Sequence, residues 1–98
     1  MAEKIHVYRQ GDIAFIKLDQ APKGLKKIRK KVIRKGEHGG IHLLEKGDIY
    51  IDEKTRTMYV GSDGNLLVRH TTSHKDLELP PGFYEVRIQR ELTGWIRD

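Results

Sequence analysis

A small all-β domain, built as a barrel or as a two-sheet sandwich, is the fold class predicted by three features of the sequence. Apolar and polar residues alternate over short runs, turn residues interrupt those runs every eight to twelve positions, and long apolar stripes at helical spacing are lacking. At 98 residues a second hydrophobic core would leave each half too small to be stable unaided, so one domain over residues 1–98 is expected.

The elements follow from period and punctuation. Ile5-His6-Val7-Tyr8 reads as a first strand and Gln10-Gly11-Asp12 as a turn. Ile13 to Leu18 reads as a second strand, apolar on both faces and therefore central. Asp19 to Gly24, with Pro22, breaks the pattern. Leu25, Ile28 and Val32 sit at helical spacing, but a helix would place Lys26 over Lys30, Lys27 over Lys31 and Lys31 over Lys35 with no acidic partner, each pair costing about 0.2–0.5 kcal/mol. Lys30 to Lys35 is therefore expected as a strand, with Lys23 to Arg29 as its basic approach. Ile41 to Glu45, Ile49 to Asp52 and Thr57 to Val60 follow as strands, separated by turns at Lys46-Gly47-Asp48 and Glu53-Lys54-Thr55. Gly61 to Asn65 has the composition of a hairpin, and Leu66 to Thr71 returns from it. Pro80-Pro81-Gly82 then sets a turn before a last strand, Phe83 to Glu91. A chain of this kind should hold about seven to nine short strands.

Composition narrows the setting. Zero cysteines remove disulfides, thiolate metal sites and cysteine nucleophiles together. No apolar run approaches the roughly 18 residues of a membrane span, and Met1-Ala2-Glu3-Lys4 leads into the first strand without a signal-peptide core, so a cytoplasmic protein without membrane contact is expected. A charged fraction of 34% with a single asparagine, Asn65, matches the bias of thermophilic proteins.

The net charge of +5 is local. Lys23, Lys26, Lys27, Arg29, Lys30, Lys31, Arg34 and Lys35 lie within 13 residues that contain no acid, while the other 85 carry 11 basic and 14 acidic groups. Such a single-sign patch on a mildly acidic body points to a polyanion, and DNA or RNA phosphates are the expected partner. Tyr8, Tyr50, Tyr59 and Trp95 are available for stacking if they lie beside it. The structural alternative is a solvated lysine-rich edge that blocks strand pairing between molecules.

Leu66, Val68 and His70 share one face of a strand, and continued extension would bring Thr72 and His74 onto it. With His42 from another strand, His70 and His74 could hold zinc or another divalent transition metal, structural or hydrolytic, with Glu91 or Asp76 as a fourth ligand or a base. The spacing matches no recognised metal motif, and the bland alternative is a set of histidines bonded to backbone or solvent. In the last strand Tyr84, Val86 and Ile88 should face the core. Glu85, Arg87, Gln89 and Glu91 line the other face as a wet surface or a groove for a polar ligand, and Arg90 falls on the apolar side. Neither serine sits in a nucleophile elbow, and Gly36…Gly39-Gly40 lacks the spacing of a phosphate loop, so a complete catalytic motif is missing.

Arg9-Gln10-Gly11-Asp12-Ile13, Gly36-Glu37 with its Gly/His-rich turn, and His70…His74 running into Leu79-Pro80-Pro81-Gly82-Phe83-Tyr84-Glu85-Val86 and Gln89-Arg90-Glu91 resemble a family of small, uncharacterised prokaryotic and phage proteins. The chain departs from that pattern in its middle, where His42 alone follows Gly39-Gly40 and His38 precedes them. The resemblance implies no established activity. The expectation from the residues is a non-enzymatic module that contacts nucleic acid, with a histidine metal site or oligomerisation through sheet edges as alternatives.

Overall fold

The computed structural model describes residues 6–35, 40–71 and 75–88. Among these residues there are ten strands and no helix, and thus no helix long and apolar enough to cross a membrane. In chain order they are β1 (Val7–Gln10), β2 (Ile13–Leu18), β3 (Lys26–Ile28), β4 (Val32–Lys35), β5 (Ile41–Lys46), β6 (Asp48–Asp52), β7 (Thr57–Ser62), β8 (Leu66–His70), β9 (Leu77–Leu79) and β10 (Gly82–Ile88). They form two antiparallel sheets, β1-β2-β10-β7-β6-β3 and β4-β5-β8-β9, and do not close into a barrel. The all-β expectation holds, with the sandwich as its form.

The strand count exceeds the seven to nine expected because two short segments pair. Lys26–Ile28, expected only as part of the basic approach to the next strand, forms β3 against β6, with Ile28 opposite Ile49. Ile49 is in the core and Ile28 packs against it, so burying one isoleucine sets the register and Lys26 and Lys27 meet Glu53 and Asp48. Leu77–Leu79 forms β9 on β8 for a similar reason, Leu79 being fully buried. The strand expected over Lys30 to Lys35 begins at Val32.

Side chains from both sheets make one core, in which Phe15 and Tyr84 are the largest, surrounded by Ile13, Ile33, Leu44, Ile49, Val60, Leu66, Val68 and Leu79. Tyr84 packs edge-on against Tyr8 and donates its hydroxyl to the Pro80 carbonyl at 2.6 Å, which satisfies the one polar atom that burial of the ring would strand. Burial, with a smaller contribution from Tyr8, pushes the Tyr84 phenol up to about 12.

Strict alternation also defines the outer face of the six-stranded sheet. Lys27, Tyr50, Tyr59, Glu85, Ile16 and Val7 form one row across all six strands. In the next row Phe83 lies opposite Gly61, and a Cβ on Gly61 would sit 2.7 Å from the Phe83 ring. Only glycine lets this ring lie flat on the neighbouring backbone, where it also stacks at a tilt on Tyr50 at 4.9 Å.

The two sheets share their strand edges in a way that places the basic segment. β3 ends the six-stranded sheet and β4 begins the four-stranded one, so Lys26 to Lys35 passes directly from one edge to the other. On the opposite side β1 approaches β9.

Candidate functional site

The centre of the polar chemistry among the described residues is His42, which is 1% exposed at the second position of β5. Its presence there follows from alternation, since His42 and Leu44 point inward while Ile41 and Leu43 are only half-buried. A buried imidazole requires partners for its nitrogens. Nδ1 lies 2.9 Å from Gln10 Oε1, and Nε2 lies 3.3 Å from Asp12 Oδ1. Both partners come from the first hairpin. Gln10 ends β1, 4% exposed, and Gly11 takes φ +59 at the first loop position, which a type II′ hairpin reserves for glycine. That tight turn sets Gln10 and Asp12 on either side of the ring.

The direction of each hydrogen bond can be deduced. The Gln10 amide nitrogen donates to the carbonyls of Val68 at 3.0 Å and Lys75 at 2.7 Å, so Gln10 Oε1 is the acceptor toward His42 and Nδ1 carries a proton. Asp12 is a carboxylate: burial raises its pKa, but the hydrogen bond and charge of Arg34, with help from a backbone hydrogen bond and His42, outweigh burial and hold it below the usual value. Nε2 thus faces an anionic oxygen at 3.3 Å, a geometry that favours a proton or another positive species between the two atoms.

Arg34 reaches Asp12 through a local irregularity. Its Nε donates to Asp12 Oδ2 at 3.0 Å, although alternation after the buried Ile33 would turn Arg34 outward. The β4–β5 register shifts between Val32 and Arg34, so that Val32 pairs with Leu43 but Arg34 pairs with His42. The bulge re-aims the guanidinium to the same side as the imidazole. Of the eight basic residues in the segment, Arg34 is the one drawn into a polar network of buried groups.

His70 is the cross-strand partner of His42, and their rings meet edge to face at 4.5 Å, so two of the three predicted metal-binding histidines are brought together. His74 lies outside the described residues, as do Gln89, Arg90, Glu91 and Trp95. Among the described residues no three histidine or carboxylate side chains converge as a metal shell. Asp76 pairs with Arg69, at 3.7 Å, which also bonds Glu45.

The remaining basic residues stay at the surface. Lys23, Lys26, Lys27, Arg29, Lys30, Lys31 and Lys35 are all exposed. Lys26 and Lys27 pair loosely with Glu53 at 4.0 Å and Asp48 at 3.5 Å; the other five make no ion pair with a described residue. Tyr50 lies directly across from Lys27 on the outer face and Tyr59 next to it, while Tyr8 packs against the core and is not free to stack on a base. Glu85 and Arg87, half-buried on β10, pair with each other.

Gln10 and Asp12 are site residues that read in the sequence only as parts of a turn. The signal was there in Arg9-Gln10-Gly11-Asp12, whose glycine-centred turn carries a glutamine and an aspartate two positions apart. Neither a curated protein nor a solved structure shows significant similarity to this chain. A family match extends from Arg9 through Gln89 and so takes in Gln10, Asp12, Arg34, His42 and His70. The chain belongs to the family described as a domain of unknown function, DUF8820.

Proposed function

We propose that this protein is a non-enzymatic binding module that contacts the phosphates of DNA or RNA through the Lys23–Lys35 ribbon. The observation that carries this reading is the ribbon's placement: it crosses from the edge of one sheet to the edge of the other, with five exposed cations that no described carboxylate neutralises. Surface pairs such as Lys26–Glu53 contribute little and yield readily to a phosphate. Tyr50, facing Lys27 across the strand pair, supplies an aromatic surface beside the cations, suited to an unpaired base.

The same lysines on two strand edges would also discourage pairing between molecules, and salt dependence separates the two roles. Fluorescence anisotropy with labelled single- and double-stranded oligonucleotides should give a log–log salt slope of about −3.5 to −4.5 for five neutralised phosphates. Replacing Lys30, Lys31 and Lys35 by glutamine should reduce that slope by about 2–3. Absence of binding at low salt refutes the reading and leaves the ribbon as a solvated edge.

A second reading rests on the Asp12–His42 geometry. A divalent transition metal such as zinc is the other positive species that Nε2 could meet, and donors 3.3 Å apart match neighbouring ligands of a tetrahedral ion with bonds of about 2.0–2.1 Å. Gln10 would then act as the group orienting the metal-bound imidazole. Stoichiometric metal retained through chelator-free dialysis, and lost in His42→Gln, supports it; its absence from the purified and zinc-reconstituted protein defeats it.

A further inference from the structure

A cleft of about 450 Å³ opens at the end of β10, where β4 of one sheet comes near β7 and β10 of the other. Its cause is visible in the ladders. β10 pairs with β2 along its length, as far as Ile88 opposite Ile13, but its pairing with β7 runs only from Gly82 to Glu85. Beyond Glu85 the β7–β10 ladder ends, and Met58, Val86 and Ile88 line the gap with the nearly buried Ile13 and Ile33.

The rim is cationic. Arg34 from β4, Arg56 from the β6–β7 turn and Arg87 from β10 all line the cleft, with Thr57 beside them and Glu85 as the single carboxylate. That carboxylate is held by Arg87. Asp12 engages only Nε of Arg34, which fixes the guanidinium and leaves its terminal nitrogens without an acceptor among the described residues. Arg56 forms no side-chain bond with a described residue.

Arg56 is also the only described non-glycine residue with positive φ, at 64°. Its amide donates to the Asp52 carbonyl at 2.7 Å, closing a turn whose last position favours glycine or asparagine. An arginine here is a local conflict between residue and backbone, the kind of conflict that clusters at binding sites. The turn itself gains nothing from the guanidinium.

We propose that this cleft binds a small organic anion, a phosphate or carboxylate head on an apolar body, with the head held by Arg34, Arg56 and Arg87 and the body laid on Met58, Val86 and Ile88. Guanidinium groups pair with either head through paired N–H donors. Small-molecule sites are commonly concave, with a few polar groups that fix the ligand's orientation, and in this cleft the polar lining predominates. The cleft shares only Ile33 and Arg34 with the Lys23–Lys35 segment and none of its lysines, so either site can fail without the other.

The test is an NMR titration of the ¹⁵N-labelled protein with phenyl phosphate, benzoate, inorganic phosphate and benzyl alcohol, read at the Arg Nε–H signals and at the amides of Arg56, Met58 and Val86. Ligands of about ten non-hydrogen atoms should saturate near the millimolar range. Phenyl phosphate or benzoate should bind at least about tenfold more tightly than inorganic phosphate or benzyl alcohol, which lack one of the two halves. The head group of the tighter of the two identifies the ligand class. Arg56→Asn, which suits the turn and keeps the fold as judged by its spectrum, should weaken binding about fivefold or more. Lack of saturation by about 20 mM, shifts confined to Lys23–Lys35, equal binding of benzyl alcohol, or an Arg56→Asn variant with unchanged affinity would each overturn the assignment.

Discussion

Replacing Gln10 by leucine tests the buried network at its hub. The substitution keeps the volume but removes a donor to the Val68 and Lys75 carbonyls and the acceptor of His42 Nδ1. The Val68 carbonyl and the imidazole N–H are then stranded in the interior, each at about 1–3 kcal/mol. The Lys75 carbonyl is only partly buried and regains some solvation, so its share is nearer 0.5–1 kcal/mol. Burying a leucine at a position 4% exposed returns about 1 kcal/mol. The net loss is about 3 kcal/mol, a large fraction of the roughly 5–15 kcal/mol that holds a domain of this size. It corresponds to a fall in Tm of about 12–24 °C. Urea unfolding followed by circular dichroism measures it, with Arg9→Leu on the exposed neighbour as a control expected within about 0.5 kcal/mol. A Gln10→Leu protein within 1 kcal/mol of the parent, at unchanged m-value, would refute the deduced bond directions.

Three further outcomes are expected. Long-range ¹⁵N NMR of the His42 ring should show a proton on Nδ1, as the bond to Gln10 Oε1 requires; an unprotonated Nδ1 would contradict that bond direction. Tyr84 has a native pKa of about 12 against an ordinary 10.0, so its protonated form contributes stability that is complete below pH 10 and is lost as pH rises toward 12, by about 2–3 kcal/mol. Tyr84→Phe should flatten that alkaline limb in denaturation at pH 9 to 12, and an undiminished limb would place its origin elsewhere. Gly61→Ala should cost about 1–3 kcal/mol by displacing Phe83, and a Phe83→Leu background should remove most of that cost. Strict additivity of the two substitutions in thermal unfolding would show that the ring and the glycine do not interact.

Local pattern carried much of the fold. Alternation identified β2, β6 and β10 with nearly correct bounds and put Tyr84 and Val86 on the core side of β10, because the side-chain period of a strand depends only on its own residues. Glycine and Asx content marked the Gln10–Asp12 turn for the same local reason. The basic segment was visible as charge alone, and its like-charge spacing ruled out a helix correctly.

Pairing was not legible, because a partner's identity is a property of two distant segments. Alternation could say that His42 and His70 point inward or outward, but only the β5–β8 register set them against each other. Gln10 and Val68 are joined across 58 residues, and Arg34 meets Asp12 through a bulge, a break in the very period on which sequence reading relies. The short strand β3 carries two lysines and one buried isoleucine, too little pattern to be read without its partner Ile49. The cleft exists where β7 and β10 part, which no single strand encodes. By itself, then, the sequence determined the all-β class, most strands and their faces, and the location of the charge. The tertiary structure alone decided which polar groups meet, because burial forces each of them to find a partner and the fold sets which one is within reach.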